Sequence, residues 1–113
     1  MSTLQNHQEI FTKNIASLIN YTYAQGYTLT LGEAYRTAEQ AEIYAKEGKG
    51  IVHSLHIQRL AVDFNLFKDG VYMMSKESYE PLGAYWKTLH PNNRWGGDFV
   101  HLVDSNHFEM QNI

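Results

Sequence analysis

Cysteine is absent from the 113 residues, which excludes a disulfide framework and every cysteine-based zinc finger. Any metal site in this chain must draw on its six histidines and its twelve aspartates and glutamates. A basic excess is missing as well. Nine Lys and Arg against twelve acidic residues leave a net charge of −3, whereas a non-specific nucleic-acid binder presents a positive surface. No apolar run reaches the roughly 18 residues of a membrane-spanning helix. The N-terminus lacks the basic segment and apolar stretch of a secretory signal, so the expected product stays in the cytoplasm until something releases it. Gly48-Lys49-Gly50 lacks the spacing of a phosphate-cradling loop. His-Glu-x-x-His does not occur, so the chain is not a zincin. No repeat, linker or low-complexity segment interrupts it.

What is present fits one domain over residues 1–113, long enough for a core but too short for a catalytic unit plus a binding module. Ser2-Thr3-Leu4-Gln5 can open a helix as a capping box. Phe11, Ile15, Leu18 and Ile19 then share one apolar face, and Gly26 is a stop. Tyr27 to Leu31 alternates as a strand. Thr37-Ala38-Glu39-Gln40 is a second capping box, starting a short helix that Gly48 ends. Leu60, Val62, Phe64 and Leu66 alternate with Ala61, Asp63 and Asn65, the period of a strand. Lys68-Asp69-Gly70 reads as a hairpin turn into Val71-Tyr72-Met73. Ser75 caps a third helix, with Pro81 either starting its regular part or bending it. Trp95-Gly96-Gly97 is a tight turn, and Val100–Val103 and His107–Met110 read as short strand-like pieces. The fold class is α+β, a small mostly antiparallel sheet with flanking helices.

The candidate chemistry centres on Ser54-Leu55-His56 and Asp63. A carboxylate within an apolar strand faces away from its apolar neighbours and needs a partner, because a buried unpaired charge is costly. Asp63 could cap a turn or pair with a base. It could also share a metal with His56. His107 near the C-terminus supplies a third donor. Two imidazoles and one carboxylate make an open set, with a fourth tetrahedral position left for water, as in catalytic zinc sites. Asp104, three residues before His107, could stand near the metal without binding it and serve as general base. Glu109 is the next candidate for that role. Arg36 sits where a strand hands over to a helix, a place for a cation facing a cleft. It is equally a surface arginine paired with Glu33 or Glu39.

Ser54-x-His56-x6-Asp63, with Ala61 two before the aspartate, then Trp95-Gly96-Gly97 and Asp104-x-x-His107-Phe108-Glu109, resembles the VanY-type metallopeptidases. That family holds D-alanyl-D-alanine carboxypeptidases and phage L-alanyl-D-glutamate endolysins, on a fold shared with the hedgehog signalling domain. The resemblance runs from about Leu31 to Glu109. It implies one zinc held by His56, Asp63 and His107, with Asp104 as base. It implies that Arg36 contacts the substrate or the developing oxyanion, and that Ser54 orients the site by hydrogen bonding. The chain departs from the family at Arg59, where glycine is common, so either the turn there is ordinary or the side chain points outward. His53 and His101 lie near the motifs but off their pattern.

The activity so implied is zinc-dependent hydrolysis of the peptidoglycan stem peptide. The expected form is a monomeric phage endolysin that reaches the wall once the membrane is opened and cuts L-Ala–D-Glu. A D-alanyl-D-alanine carboxypeptidase is the alternative within the family. Outside it stand a zinc-stabilised binding domain without catalysis and a metal-free, tyrosine-rich interaction domain.

Overall fold

The computed structural model describes residues 3–49 and 54–113. The cap expected at Ser2, and His53, lie outside the described residues. Helix α1 spans Thr3–Ala24. Its buried positions Phe11, Asn14, Leu18 and Thr22 recur every three or four residues and so form one stripe. The helix ends before Gly26, whose φ of 88° suits a residue without a β-carbon. Strand β1 (Thr28–Leu31) leads to helix α2 (Ala38–Lys46), where Thr37 accepts a hydrogen bond from the Gln40 amide as expected of an N-cap. Strand β2 (Ala61–Lys68) turns into β3 (Val71–Met73) through Asp69 and Gly70. Both have positive φ, 50° and 79°, as the mirror-image turn of a tight hairpin requires. Helix α3 (Lys76–Thr88) is capped by Ser75 and runs continuously through Pro81. Strand β4 (Asn93–Trp95), a 3₁₀ turn (Gly96–Asp98) and β5 (His107–Met110) complete the chain.

The sheet has the order β1-β2-β5-β4, with β3 paired to β2 on the edge opposite β1, and every pairing is antiparallel. Its two faces have opposite characters because side chains alternate along a strand. One face carries Val62, Phe64, Leu66, Trp95, Phe108 and Met110 into the core against Phe11 and Leu18 of α1 and Tyr79, Leu82 and Trp86 of α3. Trp86 lies at the middle of this layer. Its indole N–H donates to the carbonyls of Arg94 and Glu109, tying α3 to both C-terminal strands. Phe11 and Phe108 meet its rings edge-on at 5.6 and 6.1 Å. The other face carries Asp63, His107 and Glu109.

Val100–Val103 is not a strand. These residues form a bend between the 3₁₀ turn and β5, with Val100 86% exposed. Their alternation finds no partner strand among the described residues, and β-propensity acts through neighbouring strands rather than alone.

Candidate metal centre

Asp63 and His107 are directly opposite each other in the β2–β5 ladder. Side chains of an antiparallel cross-strand pair emerge roughly 4.5–5.5 Å apart on the same face, so the register alone brings this carboxylate to this imidazole. The Asp63 backbone is pinned on its other edge, where its amide donates to Glu33 O and its carbonyl accepts from Gly32 N, both at 2.8 Å. A β-carbon on Gly32 would come within 3.1 Å of both the Asp63 carbonyl and the Asp63 β-carbon. The glycine thus lets the β1 side close on the site.

His56 arrives from a one-turn helix-like loop. The Leu60 amide closes back on Leu55 O at 3.0 Å, and the Arg59 amide on His56 O at 3.2 Å. Nested bonds of this kind define a Schellman ending, whose C′ residue takes the left-handed conformation and is usually glycine. Arg59 occupies that place with φ of 57°. The turn is therefore not ordinary, contrary to one of the two sequence expectations, while the exposed side chain does point outward. Its guanidinium stacks over Tyr35, 4.0 Å from the ring centroid, a contact that compensates in part for the backbone. We expect Arg59→Gly to be more stable than Arg59→Ala by about 1 kcal/mol, the reverse of their order in a helix interior. Denaturant unfolding of the two variants measures it, and equal midpoints or a more stable alanine variant would contradict it.

Three donor atoms converge at this point. Asp63 Oδ1 lies 3.0 Å from His107 Nδ1 and 3.4 Å from His56 Nε2. The ligand atoms of the three residues all fall within 4.8 Å of one another. Tetrahedral zinc with bonds of about 2.0–2.2 Å separates its donors by roughly 3.3 Å, so the set fits that ion with little adjustment. The outward nitrogens are also occupied. His56 Nδ1 faces Ala34 O at 3.4 Å, and His107 Nε2 faces Glu109 Oε1 at 2.7 Å. Such outer contacts fix which nitrogen remains free for a metal.

The electrostatics favour a cation. Burial raises the Asp63 carboxyl, but hydrogen bonds from His107 and His56 outweigh it and hold the group at about 2. Burial lowers the His107 imidazole, yet the carboxylates of Asp63 and Glu109 push it up to about 9.

Asp104 stands beside this group without joining it, its Oδ2 4.0 Å from His107 Nδ1. Burial, then repulsion from Asp63, raises its carboxyl above the ordinary range. The loop that carries it is seated by Gly96, whose carbonyl accepts from the Asp104 amide at 3.0 Å. A β-carbon there would meet Asp104 O at 2.1 Å and His107 Cβ at 2.8 Å. Gly97 and Gly83 lie against the Trp95 ring, each too close for a β-carbon. The Trp-Gly-Gly motif is thus a packing device that delivers Asp104.

Arg36, Ser54, His56, Asp104, His107 and Glu109 line a cleft of about 930 Å³. Arg36 is mostly buried. Its guanidinium is 2.5–2.7 Å from Glu33 Oε1 and its amide holds His56 O, so it both carries the expected ion pair and faces the cleft. Ser54 Oγ accepts from the His56 amide at 3.2 Å, the role of a loop cap that also orients the histidine. His101 is exposed on the cleft wall. Glu109 is not a reserve base. Its carboxylate is taken by His107 and Arg94, and against the effect of burial these partners lower it. Alternation along β5 could have placed Glu109 on the His107 face. No local signal marks the contacts of Glu33, Ala34 O or Arg94.

A family model described as D-alanyl-D-alanine carboxypeptidase, of the M15 peptidases, matches residues 47–110, more than half of the chain. No curated protein sequence matches significantly. Among solved structures, the Serratia marcescens L-Ala D-Glu endopeptidase ChiX superposes with a TM-score of 0.71 at 16% identity, covering 97% of this chain and 87% of that one. A mutant of the vancomycin resistance D,D-pentapeptidase VanY from a VanB-type cassette, in complex with Zn(II), gives 0.58 at 20% identity, covering 88% and 70%. At these identities the two structures establish the fold, and the family rests on the sequence model. The chain belongs to the VanY-type M15 family of zinc metallopeptidases.

Proposed function

We propose that this peptidase hydrolyses the stem peptide of peptidoglycan at the L-Ala–D-Glu bond, with His56, Asp63 and His107 holding zinc and Asp104 acting as general base. The observation that carries the reading is the open three-donor group with a second carboxylate 4.0 Å from His107, set in a cleft. Zinc held there would polarise the scissile carbonyl and make water a stronger nucleophile. Asp104, with its raised carboxyl, is a better proton acceptor than an ordinary surface aspartate and is placed to take the proton of the attacking water. It can then return that proton to the leaving amine. The likeness to ChiX over nearly the full length of both chains favours the endopeptidase. The family description supports the other reading, a D-alanyl-D-alanine carboxypeptidase. The biological setting we propose is lysis by a bacteriophage, the protein acting as a monomer on the wall once the membrane is opened.

A synthetic stem pentapeptide separates the two bonds. Release of the L-Ala end with a new N-terminal D-Glu supports the endopeptidase, and released D-Ala supports the carboxypeptidase. If neither product forms with the zinc-loaded protein, the substrate class is wrong. Arg36 tests the substrate side. A guanidinium can hold a carboxylate or a developing oxyanion through a planar fork that lysine does not reproduce. Arg36→Lys should fold and bind zinc but lose activity. A pure ground-state anchor would mainly raise KM, and an oxyanion contact would mainly lower kcat. Wild-type values for both would remove Arg36 from the mechanism.

A further inference from the structure

Glu109 is a carboxylate only 5% exposed, on a strand, in a site already rich in negative charge. A buried carboxylate persists only when its oxygens are matched by donors. Its two oxygens are divided. Oε1 takes His107 Nε2 at 2.7 Å, while Oε2 takes the Arg94 guanidinium, from Nε at 2.8 Å and from Nη2 by a shorter contact. Arg94 and Glu109 are directly opposite in the β4–β5 ladder, so the pair is as firmly placed by register as Asp63 and His107. A second route joins the same residues. The Arg94 guanidinium lies 5.8 Å from the Phe99 ring, which lies 5.7 Å from the His107 ring.

We propose that Arg94 and Glu109 are positioning residues that act through His107, setting both its ring orientation and the nitrogen it offers to the metal. An ionised carboxylate only accepts hydrogen bonds. Glu109 therefore requires the ring hydrogen on Nε2, so that Nδ1, 3.0 Å from Asp63 Oδ1, is the nitrogen left for a metal. Arg94 keeps Glu109 ionised and fixed. The inference rests on His107 being a metal ligand, and it assigns a function to Arg94, which reaches the metal group only through other side chains.

The test is zinc affinity measured by chelator competition without substrate, paired with ¹⁵N NMR of the His107 ring in the zinc-loaded protein. Wild type should show a hydrogen on Nε2 and metal-bound Nδ1. Glu109→Gln retains the shape but can present an amide N–H to Nε2, and it loses the ionic pair with Arg94. Glu109→Gln and Arg94→Met should each weaken zinc binding by about 10–100-fold with unchanged far-UV circular dichroism. Arg94→Lys should recover part of the loss. Wild-type affinity and an unchanged His107 ring in both variants would overturn the proposal. So would an Arg94→Met variant that binds zinc normally but has a raised KM, which would make Arg94 a substrate contact. Should Glu109→Gln fail to fold, the half-exposed Arg94 variants carry the test. Failure of the wild-type chain to bind zinc would sink the ligand assignment itself and the proposal with it, and only that failure shows in the unmutated protein.

Discussion

Asp104→Asn will keep about one zinc per chain and a near-normal melting temperature while hydrolysis falls by about 10²-fold or more. The expectation follows from where the side chain is and what it lacks. Its carboxylate is half-exposed and lies outside the three-donor group, so removing its charge costs the fold little. The loop is held by backbone bonds, the Asp104 amide donating to Gly96 O and the His107 amide to Asp104 O, which asparagine keeps. What is lost is a proton acceptor whose basicity burial and the Asp63 charge have raised. Zinc content, thermal melting and kcat on one preparation separate the roles. Loss of zinc would recast Asp104 as a ligand. Undiminished kcat would send the search for a base elsewhere, and not to Glu109, whose carboxylate is already committed to His107 and Arg94.

Asp63→Ala will reduce zinc from about one per chain to none and abolish hydrolysis, because three protein donors are the least a catalytic zinc site retains. Asp63 is the member of the group that touches both histidines, at 3.0 and 3.4 Å. His56→Ala and His107→Ala should each lose the metal as well, since two remaining donors hold zinc weakly. Metal analysis after dialysis against a weak chelator gives the occupancies. If all three variants kept full zinc, the ion would be bound elsewhere and the geometry of this site would have another explanation.

Much of this was legible from residue patterns. The alternation from Leu60 to Leu66 placed Asp63 on the face opposite the core, which is where it lies. Thr37 and Ser75 announced their helices through their capping side chains. Asp69-Gly70 announced its hairpin through the positive φ that such a turn requires. What residue patterns alone could not give was anything set by register, and the meeting of Asp63 with His107 was reached only through the family resemblance. The pairing of Asp63 with His107 spans 44 positions and depends on how β5 slides along β2. The pairing of Glu109 with Arg94 depends likewise on β4. Glu109 therefore read as a spare base when its carboxylate is fully engaged. Val100–Val103 read as strand because its residues favour strands, but both edges of β5 are already taken by β2 and β4. Arg59 is the remaining case. A large residue at a left-handed position carries no signature in this chain beyond its neighbours, and Tyr35, which covers it, lies 24 positions away.

The measurement that bears most directly on the whole account is digestion of purified peptidoglycan sacculi by the protein stripped of metal and then given one equivalent of zinc, with the released termini identified by mass spectrometry. The account predicts no cleavage by the stripped protein and restored cleavage on adding zinc, with new N-terminal D-Glu as the product and no restoration in Asp63→Ala. Cleavage that survives complete removal of metal, or zinc-loaded protein that leaves the stem peptides intact, would contradict it.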